Sequence, residues 1–357
     1  MKTETFTNNT GGTSSSHPGA APTHTRHRAG RRLMASLLAG ALLAAGGCAS
    51  NGGSSKNPTS AGSDPLYDGV APITFDSMFT GEDTDDFETL GDRAQRAGEH
   101  DKAIYAYLRA IQTGDGKARL FSKIGDLHQA RRNARLSLLA YNRALQVDPE
   151  WVPALEGAGL VYLRQRHYEE AQERLESAVM LDQQRLGGER SPRSESTSAL
   201  PPHDSRSPYR AYRGLGVLAD LAGEYGQAVR HYQVSDAIHP HSAITQNNLG
   251  YSHYLAGDLD RAKRHFRRAI AIDPGFKNGW CNLALIHLRQ RRQEDALSAL
   301  EQVMSKPEAY NTIGYLNMLA GNHIQAEQFL QKAIALSPSY YQQAQQNLEQ
   351  NRSRGGR

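Results

Sequence analysis

Small and large residues recur along residues 87–338 in a helical rhythm that restarts at a fixed interval. Gly91, Gly125 and Gly159 lie 34 residues apart, and Gly216, Gly250 and Ala284 resume the same step. Twelve positions after each stands a small residue: Ala103, Ser137, Ala171, Ala228, Ala262 and Ala296. A large residue follows four positions later, as in Tyr107, Tyr141, Leu175, Tyr232 and Phe266, and a further small one three beyond that. Two helices of one period can approach closely only where side chains are small. The pattern therefore predicts an antiparallel helix pair, with the large residue filling the space between its members. Pro149, Pro240 and Pro274 close three of the periods. Proline lacks an N–H and its ring clashes with the preceding turn, so it ends the second helix.

A 34-residue period with these phases resembles the tetratricopeptide repeat. Numbered from the start of a unit, the small residues fall at 8, 20 and 27, the large one at 24 and proline at 32. The fifth unit fits best, with Leu249, Gly250, Ala262, Phe266, Ala269 and Pro274. The resemblance implies an all-α solenoid of about seven helical hairpins plus a C-terminal capping helix. It also implies a groove for another chain rather than a reaction centre.

The array has three irregularities. Units 1 and 3 lack a closing proline. After Ala284 the step falls to 30, reaching Gly314, which predicts a sixth second helix about one turn short, with Lys306-Pro307 as its stop. Between Gly159 and Gly216 the spacing is 57, so 23 residues are inserted. Rich in Ser, Pro and Arg, this stretch reads as a disordered surface loop.

An apolar stretch of fifteen residues, 33–47, broken only by Ser36, follows Arg26, Arg28, Arg31 and Arg32 and ends at Cys48. It is too short for a comfortable membrane span and has the plan of a secretory signal, an uncleaved short anchor being the alternative. Ala45-Gly46-Gly47-Cys48 resembles the lipobox of bacterial lipoproteins, with Ala45 where Leu is usual. The resemblance implies a lipid thioether on Cys48. With Ala49 and Ser50 following, it also implies an anchor on the periplasmic face of the outer membrane. The expected organisation is a signal peptide over 1–47, a lipidated cysteine and flexible tether over 48–86, and units 1–3 over 87–182. A disordered insertion over 183–208, units 4–7 over 209–338, a capping helix over 339–351 and a disordered tail over 352–357 complete it. Residues 70–79 are more apolar than the rest of the tether and dock on either the first repeat or a partner.

Charge changes with cleavage. The chain has 41 Lys+Arg and 37 Asp+Glu, but residues 1–47 hold five of the former and one of the latter, leaving 36 of each. A neutral mature chain gives no support to nucleic-acid binding. Of two cysteines, Cys48 is the lipid site, so Cys281 stands alone and reads as a partly buried small residue. There is no HExxH pair, phosphate-cradling glycine loop or GxSxG elbow, and none of the 14 histidines pair four apart on one helix. No catalytic residues, metal, cofactor or small-molecule substrate are expected.

In the resembled fold, positions 2, 5, 9 and 12 of each first helix face the concave surface. The first two units place Glu88, Asp92, Gln95, Ser122, Asp126 and Gln129 there. The last three place Asn247, Tyr251, Tyr254, Leu285, Leu288, Asn311, Tyr315 and Met318. Tyrosine supplies contact area, Met adapts its shape, and Asn can pair with a peptide backbone. The reading is a peptide-binding groove, or else a surface that packs on a curled C-terminal helix. Arg213 is the only basic residue at a fifth position, which argues against a carboxylate clamp.

With Cys48, the repeats and the shortened unit around SKPEAYNTIGYLNMLAG, the chain resembles the TadD-type lipoproteins of the Flp/Tad pilus assembly system. That likeness implies a pilotin-like scaffold for a secretin or pilus-assembly component. The alternative is an NlpI-like adaptor recruiting peptidoglycan hydrolases or envelope proteases.

Overall fold

In a computed structural model, residues 64–68, 86–114, 116–187 and 200–355 are described. The signal segment, Cys48 and the stretch 70–79 lie outside the described residues. The described residues form fifteen helices and no strand. Units 1 to 3 are α1 (Phe87–Arg96) with α2 (His100–Thr113), α3 (Lys117–Ala130) with α4 (Ala134–Val147), and α5 (Val152–Gln165) with α6 (Tyr168–Arg185). Units 4 and 5 are α7 (Tyr209–Ala222) with α8 (Tyr225–Ile238) and α9 (Ala243–Ala256) with α10 (Leu259–Ile272). Units 6 and 7 are α11 (Lys277–Arg289) with α12 (Gln293–Leu300) and α13 (Lys306–Leu319) with α14 (His323–Leu336), and α15 (Gln342–Gly355) closes the array. This is the expected all-α tetratricopeptide solenoid of seven hairpins and a capping helix.

The period has the anticipated steric cause. A Cβ built on Gly91, Gly125 or Gly216 would lie 2.5 Å from the ring of Tyr107, Tyr141 or Tyr232 respectively. On Gly250 it would lie 2.7 Å from Phe266, and on Gly314 2.6 Å from Leu330. Position 8 is thus filled by the residue at position 24 of its own unit, and all five of those large side chains are buried. In unit 6 the pair is Ala284 and Leu300, both fully buried, and Leu300 is the last residue of its helix.

First helices also pack on the first helices of neighbouring units, whereas second helices touch chiefly their sequence neighbours. The first helices therefore form the tighter, inner layer. The second helices splay and leave outward-facing grooves between them.

Several boundaries differ from expectation. The sixth second helix has 8 residues where α10 and α14 have 14. Lys306-Pro307 is not its stop: α12 ends at Leu300, and Pro307 lies in the first turn of α13 behind a capping box of Ser305 and Glu308. Proline is well placed there because its missing N–H is an orphan of the first turn anyway. Without a closing proline, α6 runs 18 residues. Of the insertion, residues 200–208 are seated rather than loose. Arg185 donates two 2.8 Å hydrogen bonds to Asp204, Gln183 donates to the Pro202 carbonyl, and Ser207 is buried. The capping helix continues through residues expected to be tail, because Arg352 pairs with Glu327 and Asn351 with His323. Finally, residues 64–68, expected to belong to a free tether, are docked: Leu66 is completely buried.

No described helix is long and apolar enough to cross a membrane.

Candidate functional site

The inner row begins with carboxylates already engaged by the protein. Asp92 accepts from the Tyr107 hydroxyl at 2.6 Å and from Lys123 at 2.5 Å, while Glu88 is held by Arg119 and Lys123. Asp126 accepts from Tyr141 at 2.7 Å and lies 3.8 Å from Arg210, which also donates to Gln129. The hydroxyl of a tyrosine at position 24 thus reaches through the unit to the inner face. The polar stretch Glu88, Asp92, Gln95, Ser122, Asp126 and Gln129 is largely satisfied internally, with Gln95 2.7 Å from the Tyr107 hydroxyl; Ser122 is the exception, its Oγ buried without a partner.

A concavity lies further on, over the fourth unit. It encloses about 460 Å³ and is lined by Leu160, Leu163 and Arg164 of α5, by Arg210, Arg213, Val217 and Asp220 of α7, and by Ile244, Asn247 and Tyr251 of α9. Its position follows from the helices that flank the insertion. Glu156 of α5 accepts from the Ala211 backbone N–H at 2.9 Å, capping the first turn of α7 from the preceding unit. That bond docks unit 4 onto unit 3 although 23 extra residues separate them in sequence. Burial raises the Glu156 pKa, offset by Arg210 and by the bond to Ala211.

The cavity combines apolar walls with polar atoms that have no internal partner. Asp220 Oδ2 accepts from Tyr232 and from Ser252 at 3.0 Å each, but Oδ1 is buried and unbonded. Burial pushes the Asp220 carboxyl up to about 7. The Tyr251 hydroxyl and Asn247 Nδ2 are likewise buried without partners. Arg213 lies 6.0 Å from the Tyr209 ring centroid, and among the described residues no carboxylate is within ion-pair distance of it. Burial lowers the pKa of Arg213 and of Arg164, and at Arg213 the nearby Glu156 offsets it only in part. Polar side chains and cations beside aliphatic walls suit an extended chain that brings backbone carbonyls, an acidic group and an apolar side chain.

The sequence-derived groove residues divide between this cavity and the packing of the array. Asn247 and Tyr251 line the cavity, and Asn247 Oδ1 accepts from Asn282 of the next unit at 2.8 Å. Tyr254 stacks beside Tyr251 and lies under Arg289. Leu285 and Met318 are buried, while Leu288 and Tyr315 are half-buried. Asn311 accepts from Asn347 of the capping helix at 2.9 Å, so this end of the row packs partly on α15. Sequence reasoning passed over positions 2, 5, 9 and 12 of units 3 and 4 as a group. The same rule that found Tyr251 points to Leu160, Leu163, Arg210, Val217 and Asp220.

Elsewhere, Cys281 is free and half-buried, its thiol pushed up to about 11 by burial. No group of three or more His, Cys, Asp or Glu among the described residues could hold a metal ion.

Tetratricopeptide repeat profiles match residues 243–276 and 307–340, which are units 5 and 7 in register. No curated protein matches the chain. Among solved structures, a chain of the APC/C hetero-tetramer Cut9–Hcn1 is similar at 16% identity and a TM-score of 0.52 over 78% of this chain and 50% of that one. A tetratricopeptide repeat protein from Parabacteroides merdae is similar at 14% identity and a TM-score of 0.50, over 75% and 99%. MamA matches at 23% identity with a TM-score of 0.38, over 52% and 95%. At these identities the likeness is one of fold. The chain spans half the length of the Cut9–Hcn1 chain it matches.

Proposed function

We propose that this chain is a non-catalytic scaffold of the bacterial envelope, tethered through a lipid on Cys48, that captures a secretin or pilus-assembly protein in its inner groove. Tetratricopeptide repeats are protein-interaction scaffolds, and the array built here is one. The narrower reading draws its support from the sequence: the lipobox-like Ala45-Gly46-Gly47-Cys48, repeats through most of the chain, and the shortened sixth unit. Anchoring by one lipid and a linker leaves the inner face open to a neighbouring envelope protein.

The observation that carries the scaffold reading is the cavity over unit 4, where Arg213, Asn247 and Tyr251 stand among apolar walls on the row of first helices. Apolar walls interrupted by a few polar side chains suit an extended peptide segment. A peptide backbone supplies both the acceptors and the donors required.

The test is cross-linking of the membrane-anchored protein in its native envelope, followed by pull-down and mass spectrometry. Secretin or pilus-assembly components among the leading captures would support the reading. Peptidoglycan hydrolases or envelope proteases would transfer it to the adaptor alternative, and recovery of Cys48 without lipid would overturn the anchor.

A further inference from the structure

The outer side of the solenoid carries a second site, already filled. Residues 64–68 (Asp-Pro-Leu-Tyr-Asp) lie against units 1 and 2. The segment folds as a turn, with the Tyr67 N–H donating to the Asp64 carbonyl and the Leu66 N–H to the Asp64 side chain, both at 2.9 Å. Asp at the first and Pro at the second position favour that turn before any docking occurs.

Its contacts form a centre and two clasps. Leu66 is 0% exposed and belongs to the apolar cluster that includes Ile104 and Leu108 of α2 and Leu127 of α3. His128, itself fully buried, has Nε2 2.8 Å from the Leu66 carbonyl. At one end Arg143 donates to both carboxylate oxygens of Asp64, at 2.8 and 3.0 Å. At the other, Arg131 and Asn133 each donate to Asp68 at 2.9 Å, and Tyr67 packs edge-on against Tyr105. Unit 2 alone among the seven combines His at position 11, Arg at 14 and Arg at 26. The receptor is therefore built at one junction and not repeated along the array.

We propose that the groove between the second helices of units 1 and 2 is a recognition site for a short aliphatic motif bracketed by acids, and that residues 64–68 occupy it in cis as a detachable latch. Seated, the latch fixes residues 64–68 on units 1 and 2. Released, it opens the groove to a competing acidic segment of the same pattern. None of His128, Arg131, Asn133 and Arg143 lines the inner cavity, so this site does not depend on what that cavity binds.

A fluorescent peptide of residues 61–70 tests this on the full chain carrying Leu66→Asp, which empties the groove. The peptide is expected to bind that variant at least about tenfold more tightly than wild type, and the added change Arg143→Glu should abolish binding. Should Leu66→Asp melt without cooperativity, Asp64→Ala with Asp68→Ala releases the latch without opening the core and takes its place. Equal affinity for wild type and the released variant, or no binding to the released variant, overturns the proposal. Light scattering that shows a dimer for wild type and a monomer for the released variant would overturn the cis assignment in favour of exchange between two copies.

Discussion

Tyr232 donates its hydroxyl to Asp220 at 3.0 Å, joining α8 to α7 beneath the inner cavity. Ser252 of the next unit donates to the same carboxylate oxygen, so one buried acid ties two repeats together. Its other oxygen has no protein partner.

That arrangement makes stability depend on pH. Burial raises the Asp220 carboxyl from 3.8 to about 7, so between those values the folded chain holds a proton that the unfolded chain has lost. The contribution of this group is fully favourable below about pH 4 and is lost as pH rises through 7. Asp220→Asn keeps an acceptor for Tyr232 and Ser252 and removes the charge. It should raise stability at pH 8 by on the order of 1–3 kcal/mol and make no such gain near pH 4. Melting curves at both pH values check this; a variant less stable than wild type at pH 8 would refute the buried-charge account.

The repeat register makes a second prediction through two small residues. Ala262 is completely buried at position 20, where Gly250 approaches it. Ala262→Leu overpacks that contact and should cost on the order of 1–3 kcal/mol. Gly226, in the first turn of α8, has nothing within 4 Å of a built Cβ, so Gly226→Ala should instead be neutral or stabilise by up to about 1 kcal/mol. Chemical denaturation of both variants decides, since only the stated register gives opposite signs.

Those two positions also show what is legible in the chain and what is not. A glycine facing a ring from its own unit recurs at fixed spacing, so the interval between Gly250 and Phe266 is enough to reveal the hairpin. Leu66 gives no such signal, because a single aliphatic residue among polar neighbours has no period. Its burial depends on His128, Arg131 and Arg143, which lie 62 to 79 residues beyond the groups they hold in the segment. Pro307 is ambiguous for a different reason: proline ends one helix and starts the next with equal ease. The inner cavity escapes a unit-by-unit reading because units 3 and 4 become neighbours only after a 23-residue insertion is set aside. Asn311 matches the groove rule, but its partner Asn347 sits on the capping helix, and the rule for one unit contains no information about that contact.

Glu156 carries the junction across that insertion. Its carboxylate accepts from Ala211 and faces Arg210, so Glu156→Ala removes one of the two acceptors of the Ala211 N–H and leaves Arg210 with Gln129 and Asp126 alone. The expected loss is on the order of 1–2 kcal/mol. It should be concentrated in amide hydrogen exchange of α7, with α13 and α14 unaffected. Uniform loss of protection along the array would mean that units 3 and 4 are held by something else.

Arg213 separates binding from folding. Its guanidinium faces the cavity beside Tyr209 without a carboxylate partner among the described residues, so reversing its charge breaks no ion pair within the protein. Tyr251 supplies an unbonded hydroxyl a unit further along the same wall. Arg213→Glu should therefore preserve the cooperative melt while reducing capture of an acidic partner segment by about tenfold or more, an effect that weakens as salt is raised. Tyr251→Phe removes only the hydroxyl and should lower affinity by a few-fold without the salt dependence. The double variant then distinguishes two geometries by titration of the captured partner at low and high salt. If one bound segment meets both residues, the effects combine in a single affinity. If Arg213→Glu leaves capture unchanged while Tyr315→Ala abolishes it, the partner lies on the C-terminal units and the cavity over unit 4 is not the binding site.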